Sequence, residues 1–183
     1  MIVDERDFKN DAIRFAAFLM AESARTAPKA KGEDSIEIVL VQGDDIKRIS
    51  EEMMKLAEEY GDKNFERDAK SIEKAQAILL IGVKGDRSVG VNCGACGFKD
   101  CKEFQNAKRV EGRDFIGPNC VFKILDLGIA LGSAVKLAAI VGVDTRIMYR
   151  VGTAARKLNM ISADVVMGIP IAALAKNPFF DRQ

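Results

Sequence analysis

The sequence predicts an α/β fold, in the α+β sense of a mixed central sheet with a large buried helix. Three observations carry that expectation. Short apolar runs of strand length alternate with segments of helical period. One stretch near the middle, Cys120 to Val141, is apolar for longer than any strand. The 183 residues are 48% hydrophobic and 30% charged, enough apolar side chains for one core, so residues 1–183 read as a single domain.

Taken in order, Glu5 to Arg25 reads as a helix, with Phe8, Ala12, Phe15 and Leu19 as its apolar face. Pro28 and Gly32 end it. Ser35 to Val41 is a strand. After the turn Gly43-Asp44-Asp45, where either Asp can cap, Ile46 to Tyr60 is a helix with Ile49, Met53, Leu56 and Tyr60 on one stripe. A polar helix follows around Asn64 to Lys74, then a buried strand within Ala75 to Val83. The segment Gly85 to Asn119 is Gly-rich, charged and different in kind. In the apolar helix after it, Gly128, Gly132 and Ala139 would let another backbone come close. Thr145 to Val151 reads as a strand, Gly152 and Thr153 as the start of a short helix with Thr153 as its cap, and Asp164 to Ile169 as a last strand ended by Pro170. The tail through Phe179 and Phe180 is expected to be ordered, because adjacent aromatics seek burial.

Composition excludes several functions. The net charge of +1 leaves no electrostatic footprint for nucleic acid or an anionic membrane. With no His, imidazole acid–base chemistry and His metal ligands are ruled out. The first residues are acidic where a signal peptide would be basic and then apolar. Lys123, Asp126 and Lys136 make the stretch Val121 to Val143 an expensive transmembrane span, so a buried core helix is expected. A cytoplasmic location, where thiols stay reduced, follows as the expectation.

The chemistry concentrates in four cysteines, Cys93, Cys96, Cys101 and Cys120. The spacing is C-x2-C-x4-C, then 18 residues to Cys120. An iron–sulfur cluster takes four thiolates, which would leave none over. Gly94 and Gly97 permit positive φ, so N–H groups can turn toward sulfur. Gly117-Pro118-Asn119-Cys120 delivers the fourth thiol to a helix N-terminus, which favours an anion. Zinc remains open, although four-cysteine zinc sites usually show two close pairs and Cys120 stands alone. Disulfides and plain structural thiols are further alternatives. Phe98 and Phe104 would shield the centre from water.

The string Cys93-Gly-Ala-Cys-Gly-Phe-Lys-Asp-Cys101-Lys-Glu-Phe104, with the later Gly-Pro-Asn-Cys120, resembles the small four-iron domain of electron-transport complexes and corrinoid iron–sulfur proteins. That resemblance implies one [4Fe-4S] cluster on the four cysteines within an inserted iron–sulfur loop, residues 85–120. The whole chain is similar to the uncharacterised ferredoxin-domain-containing protein family, through the stretch from Ala27 to Gly32, the Cys block, the stretch from Asp126 to Ser133, and Met167-Gly-Ile-Pro170. The scaffold resembles the nitroreductase-like fold. There a turn of the form A-R-x-A-P-S-x-x-N contacts FMN, and here Ala24, Arg25, Ala27 and Pro28 match, with Lys29 for Ser and Gly32 for Asn. The closing pattern Ala163 to Pro170 also fits.

Two groups of cations are candidates for a flavin phosphate or a substrate carboxylate: Arg25, Lys29 and Lys31 near one turn, and Arg146, Arg150 and Arg156 near another. A solvated charged surface is the plainer reading of both groups. The expected role is electron transfer or redox sensing through a [4Fe-4S] cluster. The alternatives are an FMN-dependent reductase in which the cluster feeds the flavin, and a structural zinc module. The fold resemblance implies a homodimer; the redox partner protein is left open, with no nucleic acid and no membrane.

Overall fold

Strand β2 (Ala77–Val83) is buried at every position, because helices cover both faces of the sheet it centres. The computed structural model describes residues 1–180. Its sheet runs in the order β1 (Ile36–Val41), β2, β6 (Val165–Ala172), β5 (Asp144–Thr145), and every neighbouring pair is antiparallel. The alternation of side chains divides the core in two. Ile78, Leu80 and Val166 face α2 (Asp44–Tyr60), α3 (Lys63–Ile72) and α6 (Tyr149–Lys157). Leu79, Ile81, Ile169 and Ile171 face α1 (Glu5–Thr26) and α5 (Val121–Val141). The result is a three-layer helix–sheet–helix fold.

Several elements differ from the sequence expectation. In α1 the buried stripe is Ile13, Ala16, Ala17, Met20 and Ala24, while Phe8, Phe15 and Phe18 are exposed. Small residues won that face because α1 lies close along α5, whose own inward residues include Ala130, Ala134 and Ala138. Gly128 and Gly132 therefore point outward and meet nothing, and only a third of the most apolar window of α5 is buried. By length and composition this one helix could cross a membrane, yet it lies against the sheet of this fold.

Helix α2 is preceded by Gly43 at φ 63° with no side-chain cap; Asp44 and Asp45 sit in its first turn instead. The expected strand Thr145 to Val151 is cut to Asp144–Thr145 and a single bridge at Met148. Helix α6 starts at Tyr149, so Gly152 and Thr153 lie inside it, and Thr153 bonds the Tyr149 carbonyl rather than capping. Gly152 is required there, because a Cβ would collide with the Val166 carbonyl. No helix N-terminus stands at Gly152 to take an anion. Strand β6 also continues through Pro170. The Gly168 amide bonds Met148 on the outer side, and two residues on the Pro170 nitrogen faces that same side, in the gap before Thr145 pairs with Ile171.

Candidate metal centre

Between β2 and α5 the chain makes one excursion, and all four cysteines lie on it or at its end. Both ends are fixed to the core. The Cys120 amide donates to the Gly85 carbonyl at 2.9 Å, and the Gly85 amide donates to Asp164 Oδ2 at 2.8 Å. Arg109 Nη2 reaches the same oxygen at 2.8 Å, and Nη1 bonds the Pro118 carbonyl. Asn119 donates to the Ile116 carbonyl at 2.7 Å. A short hairpin, β3 (Val110–Glu111) and β4 (Ile116–Gly117), is held from the other side by Arg156, which bonds Glu111 and the Asp114 carbonyl. Contacts between residues as far as 79 positions apart in sequence thus present Cys120 as the cap of α5.

The loop is shaped by backbone that only certain residues adopt. Asn92 has φ 51°, and Gly94 and Gly97 have φ 70° and 87°. Asn92 and Cys101 bond reciprocally: the Asn92 amide donates to Sγ at 3.3 Å, and Asn92 Oδ1 accepts from the Cys101 amide at 3.0 Å. The Asn92 N–H holds the Cys101 thiol below its ordinary pKa; burial opposes this, and the Ser88 hydroxyl and the Gly90 and Val91 amides add to it. Helix α4 (Cys101–Asn106) begins with a reciprocal cap, Asp100 accepting from Glu103 N at 2.8 Å and Glu103 accepting from Lys99 N at 2.7 Å.

Beneath the loop lies a third, small core of Val89, Phe104 and Cys120, flanked by Ala30, Cys96, Phe98 and Phe122. Phe98 and Phe104 meet edge to face at 5.7 Å. Cys120 is buried, Cys96 and Cys101 are half-buried, and Cys93 is exposed. Among the described residues no three Cys, Asp or Glu side chains converge on one metal-binding point. The donor set nonetheless fits a thiolate-held cluster: four soft sulfurs, amides aimed at one of them, and aromatic cover.

The candidate anion-binding cations stand in two layers. Arg25 bonds Asp34 at 2.5 Å and the Ile36 carbonyl at 2.9 Å. Lys29 donates to the Ala24, Arg25 and Ala27 carbonyls, closing the C-terminus of α1. Burial lowers its pKa, with Asp34 and Asp126 opposing. Lys31, at φ 57°, lies beside Gly90 of the cysteine loop. On the other face of the sheet, Arg146 bonds the Phe179 carbonyl and stacks on Phe180, and Arg150 bonds Asp68 at 3.0 Å. Arg156 bonds Glu111 and the Asp114 carbonyl, so the structure gives five of these six side chains intramolecular partners and does not bring the six together.

Sequence reasoning missed the residues that support the loop: Asp164, Arg109, Gly85 and Asn92, and the buried pair Lys123 and Asp126. The last had a legible signal, two opposite charges three residues apart at the start of a largely apolar helix. An open cavity of about 590 Å3 lies at the root of the excursion, lined by Ser35, Lys84, Arg87, Arg109 and Asp164 among others. A larger one, about 820 Å3, opens by Gly43, Ser50 and Glu73, and no cysteine lines it.

Known structures share this fold. The chain is similar to an oxidoreductase containing FMN (TM-score 0.57, 15% identity, covering 89% of this chain and 68% of that one). It is similar to the nitroreductase CinD from Lactococcus lactis in complex with chloramphenicol (TM-score 0.60, 13% identity, 96% and 81%). A putative nitroreductase in complex with FMN from Desulfovibrio desulfuricans has a TM-score of 0.54 at 11% identity, covering 92% and 78%. In sequence, an "Uncharacterized protein" of Archaeoglobus fulgidus is 63% identical over 182 residues, covering 100% of this chain and 98% of that one. A family model described as "Uncharacterized protein containing a ferredoxin domain (DUF2148)" matches residues 116–182, which include Cys120. The chain belongs to this family of ferredoxin-domain-containing proteins, built on a nitroreductase-like fold.

Proposed function

We propose that this protein carries one [4Fe-4S] cluster on Cys93, Cys96, Cys101 and Cys120 and uses it for electron transfer or redox sensing. The observation that carries the reading is the loop itself. Every cysteine of the chain is on one excursion, Cys101 Sγ faces N–H donors, and Cys96 and Cys120 share an aromatic-covered core. The ferredoxin-domain family membership supports it. When bound, such a cluster supplies one-electron chemistry. The chain's own part is to hold the thiolates, to donate hydrogen bonds to sulfur, and to exclude water with Phe98 and Phe104. A cytoplasmic location would keep these thiols reduced.

Purification without oxygen, followed by absorption spectra before and after dithionite, tests the reading. A brown chromophore that bleaches, with about four iron and four sulfide per chain, is expected. A chain that stays colourless after reconstitution with iron and sulfide, or that holds zinc instead, overturns it.

The FMN-dependent reductase is the second reading, supported by the similar structures described as containing FMN or in complex with it. Against it stands the internal use of Arg25, Lys29, Arg146 and Arg150. Tight FMN binding to the cluster-loaded chain would establish it, and no binding would remove it. The homodimer is proposed on the outer face of α1 and α5, where Phe15, Phe18, Leu125, Ile129 and Ile140 are exposed beside Gly128 and Gly132. A second copy would cover this face, and a monomeric mass in solution scattering would refute the assignment.

A further inference from the structure

Two ions are buried in the first turns of α5, directly after the fourth cysteine. Lys123 is 1% exposed and Asp126 is 3% exposed. Their charged atoms stand 4.0 Å apart, too far for a hydrogen bond, and each is held by backbone instead. Lys123 Nζ donates to the Glu33 carbonyl at 2.8 Å, and Asp126 Oδ1 accepts from the Ala30 amide at 2.9 Å. Asp126 Oδ2 is buried and has no hydrogen-bond partner.

A buried ion pair is weak evidence for stability, since apolar residues of similar volume often do as well or better. The pair is tethered to the cysteine site at both ends. The Lys123 and Ile124 amides donate to the Cys120 carbonyl at 3.1 and 3.2 Å. Ala30, whose amide Asp126 holds, packs in the small core with Cys96 and Cys120. The exposed cations of the loop, Lys99 and Lys102, are screened by water and salt. Lys123 and Asp126 are withdrawn from solvent, so water and salt screen their charges less.

We propose that Lys123 and Asp126 are a buried charge pair that sets the reduction potential of the centre, Lys123 raising it and Asp126 lowering it. The inference rests on the proposed [4Fe-4S] function and adds its regulation. A buried cation stabilises the added electron, and a buried anion opposes it.

The test is a redox titration, followed by absorption and electron paramagnetic resonance, of the reconstituted wild type, Lys123→Met and Asp126→Asn. Methionine keeps most of the stem, and asparagine keeps an acceptor for the Ala30 amide. With iron content equal to wild type, Lys123→Met is expected to shift the potential down and Asp126→Asn to shift it up. A purely structural pair would not give opposite signs. Shifts of the same sign, or none, at full iron content overturn the proposal. If Lys123→Met fails to fold, Asp126→Asn against the double variant Lys123→Met/Asp126→Asn reads the same lysine charge. There the double variant is expected to lie below Asp126→Asn, and equality overturns the proposal. A wild type that takes up no iron removes the underlying function and this assignment with it, a failure seen before any potential is measured.

Discussion

Asp164→Ala tests whether the root of the cysteine loop is held as the structure indicates. Asp164 is 6% exposed, and its Oδ2 accepts from both the Gly85 amide and Arg109, each at 2.8 Å. Removing it leaves the buried Gly85 N–H without a partner, which costs about 1–3 kcal/mol. Arg109 also loses its carboxylate; its side chain is 30% exposed, so water recovers most of that interaction and about 1 kcal/mol is a fair allowance. The sum, about 3 kcal/mol, lowers Tm by roughly 6–12 °C for a domain of this length. Asp164→Asn keeps an acceptor oxygen and should cost about 1 kcal/mol, the difference between a charged and a neutral hydrogen bond. Melting curves by circular dichroism on cluster-free protein read these shifts. In cluster-loaded protein the fall for Asp164→Ala should be larger, because Gly85 in turn holds the Cys120 amide and bound metal stabilises only the folded arrangement. A fall below about 2 °C for Asp164→Ala would refute the reasoning, as would an equal loss for Asp164→Asn.

Other outcomes follow from the same geometry. Serine at any one of Cys93, Cys96, Cys101 or Cys120 should cost the intact cluster, read as iron and sulfide per chain; full retention in all four variants contradicts the ligand assignment. In cluster-free protein Cys101, lowered by the Asn92 amide, should begin to be alkylated by iodoacetamide at a lower pH than an ordinary thiol, read by peptide mass spectrometry from about pH 6 to about pH 8. Deprotonation makes the nucleophile, so a depressed pKa moves the onset of reaction to lower pH; an onset at or above that of an ordinary thiol speaks against the hydrogen bond. Gly152→Ala drives a methyl group into the Val166 carbonyl and should cost about 3 kcal/mol or more in urea unfolding, as overpacking against backbone does.

The sheet was legible because β2 is a short apolar run with turn residues beyond it, and the excursion between β2 and α5 because its glycines, charges and cysteines set it apart from the apolar runs on either side. What failed has physical causes. The stripe Phe8, Ala12, Phe15 and Leu19 has the right period, but its first three residues are exposed and Leu19 is only half-buried, because periodicity locates a face without telling which neighbour it meets. Ala17 and Ala24 face α5, where close approach decides. Pro170 breaks a strand only where its missing N–H is needed, and beside the truncated β5 it is not. Asp164 and Arg109 are 55 positions apart, and nothing local to either announces their contact.

The placement of charge weighs between the two redox readings. A flavin phosphate needs cations free to bind it. Arg25 is occupied by Asp34, Lys29 by three carbonyls, Arg150 by Asp68 and Arg146 by Phe179. Recruiting any of them would break a bond that shapes a turn or a core. The cysteine loop shows the opposite arrangement: its N–H donors are turned toward a sulfur, and its root is tied to the sheet by Asp164 and to α5 by Cys120 itself. A redox centre held on these cysteines would be carried by the core of the fold although most of its proposed ligands lie on a surface loop. That is why charges buried in α5, rather than those on the loop, are the ones expected to govern its potential.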